Sequence, residues 1–417
     1  MSHSRNSLPT NLATRYILMQ KDHAVACVLW NPELSSPFRF LEIYDSRRLP
    51  LPVLYNNGQG KNFGLNEWAE NRCVPPSRFQ HLKSNCNLTA RTPIELSLQH
   101  LGLSLSDSYW FCPEDQTLSW FQANFFTNDF EPLHSSQQSP HAFGVPFSPC
   151  ATTNGDLGKF WQIRDGKRLL YKESTHPFFQ QAYNEDFASV LLDKLNLPHV
   201  QYSIQDFGGI PYSVCAAFTD ENTEYVPAWH VLSAVKKHGT ESQYVYFIAC
   251  TKDVFPQFEP KALNTMLAFD FLIGNTDRHY GNFGFLRDVE TLEWKGMAPL
   301  FDHGNSLWYD RLSSRINRNE LTCKPFFRTF EEQNYALRAF SPSFSQLSHD
   351  FVQQAAQEIF SLNTLFDDAR IKDLTDAVLH RNIQLQLLPN TDSYEQFKKT
   401  AQDSIRIYRR RKEGKHY

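Results

Sequence analysis

The stretch Leu272-Ile273-Gly274-Asn275-Thr276-Asp277-Arg278-His279-Tyr280-Gly281-Asn282-Phe283-Gly284 decides how the rest of the chain is read. Before it lies Pro260–Ile273 (PKALNTMLAFDFLI), an apolar segment with proline at its head that reads as a buried helix. After it, FGFL at 283–286 and LEWK at 292–295 read as a hairpin, and APLF at 298–301 as a short strand that ends on Asp302. A hairpin returns the chain on itself, so Asp277 and Asp302 can be delivered to one point in space. Phosphoryl transfer uses such a set: a carboxylate that orients the attacking hydroxyl and takes its proton, and hard oxygen donors for magnesium. Asp277 fits the base, and Asn282 and Asp302 fit the metal ligands. The D-x4-N spacing lets a short loop turn both side chains toward one ion.

Working upstream, Thr152-Thr153-Asn154-Gly155-Asp156-Leu157-Gly158-Lys159 precedes a β-run, where a phosphate-covering loop belongs. Phe160–Ile163 and Arg168–Lys172 read as strands joined at Asp165-Gly166, a hairpin signal. Lys172 closes the second strand, within reach of nucleotide phosphates. Asn184–Leu195 (NEDFASVLLDKL) has a helical apolar face and carries Glu185, placed to pair with Lys172. PYSVCAAFT at 211–219 reads as a further strand. Taken singly, each piece is commonplace: an ordinary turn, a solvated lysine, a solvated glutamate. Their order is not, since loop, lysine strand, glutamate helix, hinge strand, D-x4-N loop and Phe-Asp strand end follow the layout of a bilobal kinase.

At these residues the chain resembles the HipA-like kinases, through LLYKES (169–174), NEDFASVLLDKL (184–195), LIGNTDRHYGNFG (272–284) and APLFDHGNSL (298–307). The resemblance covers roughly residues 150–390, and the IGNTDRHxGN segment is its specific part. The DRHxxN string is also similar to the catalytic loop of phosphatidylinositol kinases. The resemblance implies a serine/threonine protein kinase that uses ATP and Mg2+ and autophosphorylates. Asp277 is then the catalytic base, with His279 supporting the loop or itself moving a proton. Asn282 and Asp302 hold magnesium. Thr153, Asn154, Gly155, Lys172 and Glu185 bind or position ATP, with backbone groups near Ala216 and Phe218 meeting adenine in a hinge at Cys215–Thr219. Ser148, Thr152 and Thr153 are candidate autophosphorylation sites. The resemblance further implies a protein substrate and an antitoxin-like partner protein. The chain departs from the family at residues 1–130, and at His303-Gly304, which replaces the Phe-Gly that follows the second aspartate in many kinases.

Composition bounds these readings. Charged residues make up 21% and hydrophobic ones 41%, the balance of an ordinary globular chain, and 34 phenylalanines promise large cores. Formal net charge is −4, which offers no global attraction to nucleic acid, so direct binding of nucleic acid is not expected. The basic tail IRIYRRRKEGK (405–415) is the main support for a non-catalytic, DNA-associated module. No window is apolar enough for a membrane span. The start MSHSRNSLPTNLATRY has no signal-peptide core, and the 8 cysteines form no CxxC and no zinc-ligand spacing. They read as buried thiols of a reducing, cytoplasmic compartment.

The N-terminal part adds strand-like runs at 24–30 and 38–44, a helical stretch around Leu65–Asn71, and a helix begun by Thr92-Pro93-Ile94-Glu95 as N-cap, N1 and capping box. The aromatic runs 108–111 and 119–126 read as packing. Helices are expected over roughly 349–361, 369–385 and 393–411. The expected architecture is α+β: an N-terminal α+β subdomain (1–130), a Pro/Ser-rich linker (131–150), a β-rich kinase lobe (151–225) and a mainly helical lobe with the catalytic loop (226–417). The alternative activity is a PI3/4-kinase-like lipid or small-molecule kinase. Arg311, Arg315, Arg318, Lys324 and Arg328 would suit an anionic headgroup or an acidic protein segment.

Overall fold

The computed structural model describes residues 13–55, 59–85, 88–128, 149, 157–232, 234–235, 242–316, 322–338 and 344–387. The chain divides into two compact units. One comprises Met1–Asp156 with Thr219–Glu224 and Val289–Leu292; the other comprises Leu157–Phe218, Tyr225–Asp288 and Glu293–Tyr417.

The first unit is built on an antiparallel sheet of order β3-β2-β1-β4, from β1 (Thr14–Gln20), β2 (His23–Trp30), β3 (Phe38–Ile43) and β4 (Tyr109–Pro113). Between β3 and β4 run α1 (Leu51–Leu54), α2 (Lys61–Glu70), α3 (Pro76–Asn85) and α4 (Pro93–Gln99); α5 (Trp120–Ala123) follows. Leu18, Val28, Leu65, Trp68 and Phe111 form its core, where Phe38 stacks on Phe111 at 5.2 Å. The aromatic run at 108–111 is therefore core. Thr92 caps α4 as the sequence predicts, accepting the Glu95 N–H at 3.1 Å. The Glu95 carboxylate reaches past the cap to the Arg91 N–H at 2.6 Å, so the reciprocal arm of the box closes one residue early.

The second unit opens with β5 (Lys159–Arg164) and β6 (Lys167–Glu173), joined at Asp165 (φ 51°) and Gly166 (φ 71°). Two successive positive φ values make the tight turn that matches strand twist. With β7 (Tyr202–Phe207) and β8 (Ile210–Ala216) they form a sheet of order β5-β6-β8-β7. Helix α6 (Gln181–Lys194) packs on β7 and β8. It starts before the Asn184 expected from sequence, because its cap comes from outside the helix: Ser174 Oγ accepts the Ala182 N–H at 3.0 Å. The strand predicted over 211–219 stops at Ala216.

Next come β9 (Thr223–Pro227), α7 (Gln243–Val254), α8 (Lys261–Ile273), β10 (Gly284–Asp288), β11 (Trp294–Met297), α9 (Phe330–Leu337), α10 (His349–Phe360) and α11 (Asp368–Leu387). Strands β11, β10 and β9 form a small sheet. The predicted strand at 298–301 reduces to one parallel bridge, His199–Leu300. Pro299 has no N–H to give a ladder, and Leu300 alone exchanges bonds with Pro198 and Val200. The main core gathers Phe187, Phe247, Phe269, Phe283, Phe285 and Phe360 with the aliphatic face of α8. The helix expected over 393–411 and the basic tail lie outside the described residues.

Candidate active site

Two carboxylates converge on one ammonium. Lys172, near the end of β6, donates to Glu185 Oε1 of α6 at 2.9 Å and to Asp302 Oδ1. Glu185 is buried, and its other oxygen accepts the His303 N–H at 2.8 Å. Burial alone would push the Lys172 ammonium down, but the carboxylates of Asp302 and Glu185 outweigh it and hold the group above its ordinary value. Conversely, burial alone would raise both carboxyls, and Lys172 instead holds them below the usual range. Lys159, the cross-strand partner of Lys172, adds a second positive charge that acts on Asp302. Asp302 itself has φ 63°, a left-handed conformation that costs a non-glycine residue on the order of 1 kcal/mol. It is held there by neighbours: its N–H meets Tyr202 Oη at 3.3 Å, and the carbonyl of Phe301 accepts Arg278 Nη1 at 2.6 Å.

The loop that carries Asp277 is built around a buried ion pair. Helix α8 ends at Gly274 (φ 62°, ψ 41°), which supplies the left-handed cap, and Asn275 N–H returns to Asp270 O at 2.8 Å. Arg278 meets Asp270 in a fork, with two bonds of 2.9 Å. Its remaining nitrogen Nη1 donates to both Asn282 O and Phe301 O at 2.6 Å. One guanidinium thus ties the backbone beside both expected metal ligands. Asn275 bonds Asp270 Oδ1 and accepts the Asp277 N–H at 3.1 Å, which fixes the start of the loop.

Asp277 is partly exposed, and each of its oxygens has a partner. Oδ2 accepts Asn305 Nδ2 at 3.0 Å, and Oδ1 accepts Lys324 Nζ at 2.9 Å. Asn282 Nδ2 donates to the Asp277 carbonyl at 3.2 Å, which leaves its Oδ1 as the ligating end. His279 is exposed, and its Nδ1 accepts the Gly281 N–H at 3.1 Å, a bond within the loop. Asp277, Asn282 and Asp302 therefore belong to one hydrogen-bonded assembly, and Lys172 and Glu185 join it.

At the strand expected to be the hinge, Ala217 N–H donates to Arg168 O at 2.8 Å. Backbone alternation then turns the polar groups of Ala216 and Phe218 to the opposite edge, past the last β7 pair at Tyr202–Cys215. Phe218 lies against Tyr225 and Phe301, with ring centroids 5.5 and 5.2 Å apart, forming an apolar floor that continues into Val200 and Leu170. Ser148, Thr152, Thr153, Asn154 and Gly155 fall outside the described residues.

The donor set suits magnesium, which takes one or two carboxylates and completes its shell with waters and substrate phosphates. Asp302 and Asn282 offer a carboxylate and a carboxamide oxygen. Among the described residues no group of three or more His, Cys, Asp or Glu side chains gathers for a metal. The described cysteines are buried free thiols. No described helix is long and apolar enough to cross a membrane.

Comparison with known proteins gives the family. Residues 153–361 match the family described as HipA-like C-terminal domain. The chain belongs to that family. A serine/threonine-protein kinase, CtkA, of Helicobacter pylori strain J99 is 32% identical over 189 residues, 43% of this HipA-like chain and 55% of CtkA. The chain thus spans about half the length of this curated relative. The HipA–HipB toxin–antitoxin complex of Shewanella oneidensis with operator DNA matches at TM-score 0.54 and 12% identity, over 90% of this chain and 100% of that one. It shows a shared fold. The crystal structure of the H. pylori kinase CtkA matches at TM-score 0.43 and 17% identity, over 57% of this chain and 94% of that one.

Sequence reasoning gave no role to Asn184, Asp270, Arg278 or Asn305, and placed Lys159 and Lys324 only within a phosphate-covering loop and a basic segment suited to an anionic acceptor. Asp270 left a signal, being the lone charge in the apolar run LNTMLAFDFLI. A buried carboxylate needs a partner, and Arg278 was the nearest candidate downstream. Asn184 and Asn305 left none, since amides at such positions are ordinary.

Proposed function

We propose that this chain is a HipA-like serine/threonine protein kinase that transfers the γ-phosphoryl group of ATP to protein hydroxyls. The observation that carries the reading is Lys172 joined at once to Glu185 and Asp302. A lysine paired with a helix glutamate and set against a metal-binding aspartate is the arrangement kinases use to hold the phosphates of ATP. The family match and the sequence relative CtkA support it.

In this reading Lys172 binds the phosphates, and Glu185 holds Lys172 and fixes the backbone after Asp302. Asp277 orients the acceptor hydroxyl and takes its proton. Asn282 and Asp302 hold Mg2+, which when bound neutralises phosphate oxygens. Arg278 keeps the two ligands in register, and His279 shapes the loop that carries Asp277. Ala216 and Phe218 present backbone groups and an apolar ring to adenine, and Thr153, Asn154 and Gly155 cover the phosphates. Autophosphorylation falls on Ser148, Thr152 or Thr153; active preparations in which mass spectrometry finds all three unmodified would remove that part. An antitoxin-like partner protein and a cytoplasmic site of action belong to the same proposal.

The test is incubation of the purified chain with [γ-32P]ATP and magnesium, alone and with a lysate. Label on serine or threonine of protein supports the reading. Label confined to extracted lipid would replace it with the lipid-kinase alternative, and no label anywhere would overturn both.

A further inference from the structure

The placement of Lys324 carries one step more, and it rests on the kinase reading above. We propose that Lys324 is a catalytic residue of the transfer step, its ammonium group meeting the oxygens of the phosphoryl group as it moves to the acceptor. Lys324 Nζ lies 2.9 Å from Asp277 Oδ1, while Oδ2 accepts the amide of Asn305 at 3.0 Å. An acceptor hydroxyl that hands its proton to Asp277 must come within about 2.6–3.2 Å of a carboxylate oxygen. Asn305 sits in a loop whose neighbouring carbonyls, Gly304 and Ser306, are both held by Asn184 at 2.8 Å. Lys324 is half exposed. The oxygen whose partner can swing aside is therefore Oδ1, and the group that swings is a cation already beside the acceptor.

The backbone that presents this cation is fastened to the core. Thr322 and Thr329 bridge the turn, and Cys323 N–H donates to Arg328 O at 3.1 Å. The buried Cys323 thiol meets Gln333 Oε1 at 2.8 Å, and Gln333 Nε2 donates to Leu267 O at 2.8 Å. Phe326 is buried against Tyr280 of the Asp277 loop, with centroids 5.6 Å apart. Stability does not explain so built a presentation, because an exposed ion pair contributes only about 0–1 kcal/mol. Base catalysis does not explain it either, since the ammonium occupies the carboxylate oxygen that would take the proton. Charge on the transferring group does: the transition state is loose, asks little of the base, and spreads negative charge over oxygens that an ammonium can meet.

In the step, the acceptor oxygen forms its bond to the γ-phosphorus. The bond from that phosphorus to the bridging oxygen breaks, and its electron pair leaves with ADP. The acceptor proton passes to Asp277 Oδ1. Lys324 stays protonated throughout and donates to a γ-oxygen.

The experiment compares full-length wild type with Lys324→Ala, Lys324→Gln and Lys324→Arg. It reads kcat and KM for ATP with [γ-32P]ATP, Mg-ATP affinity by calorimetry, and melting temperature. Lys324→Ala and Lys324→Gln are expected to lose about 100-fold in kcat, with affinity and melting close to wild type. Lys324→Arg, which keeps the charge, should recover about tenfold over Lys324→Ala. A Lys324→Ala enzyme within about threefold of wild-type kcat, a loss confined to KM, or an arginine variant no better than glutamine would each overturn the proposal. Wild type that binds Mg-ATP yet moves no label overturns the kinase reading and this step with it. An active wild type beside an equally active Lys324→Ala overturns this step alone.

Discussion

Asp277 and Lys172 are both candidates for loss-of-function substitution, yet their surroundings predict different outcomes. Asp277 is partly exposed and among the described residues its carboxylate bonds Asn305 and Lys324, so Asp277→Ala, which in the proposed reading removes the group that orients the acceptor, should lower transfer by about 1000-fold or more while melting hardly changes. Lys172 is the cation between two carboxylates. Removing it leaves Glu185 and Asp302 facing each other without the cation they share, a change of about 3–5 kcal/mol when a buried pair is broken. Lys172→Ala should therefore lose both transfer and stability, and paired measurement of activity and urea midpoint separates the two cases. The sign with pH follows from the same cluster. Both carboxyls are held below their unfolded values, so their stabilisation is present above about pH 4 and fades as pH falls through the folded values.

At the scale of the element, α6 is the member on which the site is assembled. Successive residues do different work: Asn184 holds the carbonyls of Gly304 and Ser306, while Glu185 holds Lys172 and the His303 N–H. Gln180 extends the clamp to Leu307 O at 2.9 Å, and Arg370 of α11 donates to Gln180. The loop after Asp302 is thereby bound to a helix along most of its length, which suits a chain with His303 where a mobile phenylalanine would otherwise sit. His303 is buried at that position, and burial holds its imidazole below the ordinary value. Asn184→Ala leaves the buried Gly304 carbonyl without its donor, while Ser306 O keeps the Tyr309 N–H at 3.1 Å, and should cost about 1–3 kcal/mol by chemical denaturation. Its transfer rate should also fall, because the loop that follows Asp302 loosens. Asp186, next along α6, runs opposite to Glu185: burial pushes its carboxyl up to about 6. The unfolded chain gives up that proton near pH 4 and the folded chain near pH 6, so the cost appears as pH rises between them and stays above. Asp186→Asn should raise stability at pH 7.5 by about 1 kcal/mol, allowing for its partial exposure, and leave it unchanged at pH 4; thermal melts at the two pH values check the sign.

For the whole molecule, ligand linkage gives the broadest prediction. A ligand that binds only the folded state stabilises it by about 2.7 kcal/mol at 100 times its Kd. ATP with magnesium should raise the melting temperature by several degrees, and EDTA should remove most of that gain, if Asp302 and Asn282 hold the nucleotide through the metal as proposed. Asp302→Ala should show the small, EDTA-insensitive shift from the outset.

The residues that converge could be named from sequence because the layout expected of phosphoryl transfer restricts residue type and order so tightly. Lys172, Glu185, Asp277, Asn282 and Asp302 stand at spacings that a helix, a hairpin and a short loop convert into convergence. Strong local signals also placed the β5–β6 turn at Asp165-Gly166, the Thr92 cap and helix α8. What sequence could not supply was whatever depends on a partner distant along the chain. The expected strand at 298–301 failed because a ladder needs a neighbour with matching groups, and Pro299 removes one. Helix α6 began early because its cap is Ser174, outside the helix. Asp270, Asn184, Asn305 and Lys324 have roles only through what they touch, and contact is settled when the chain folds: charge and amide groups that look solvated in a sequence become, once buried together, the pins and cations of a site.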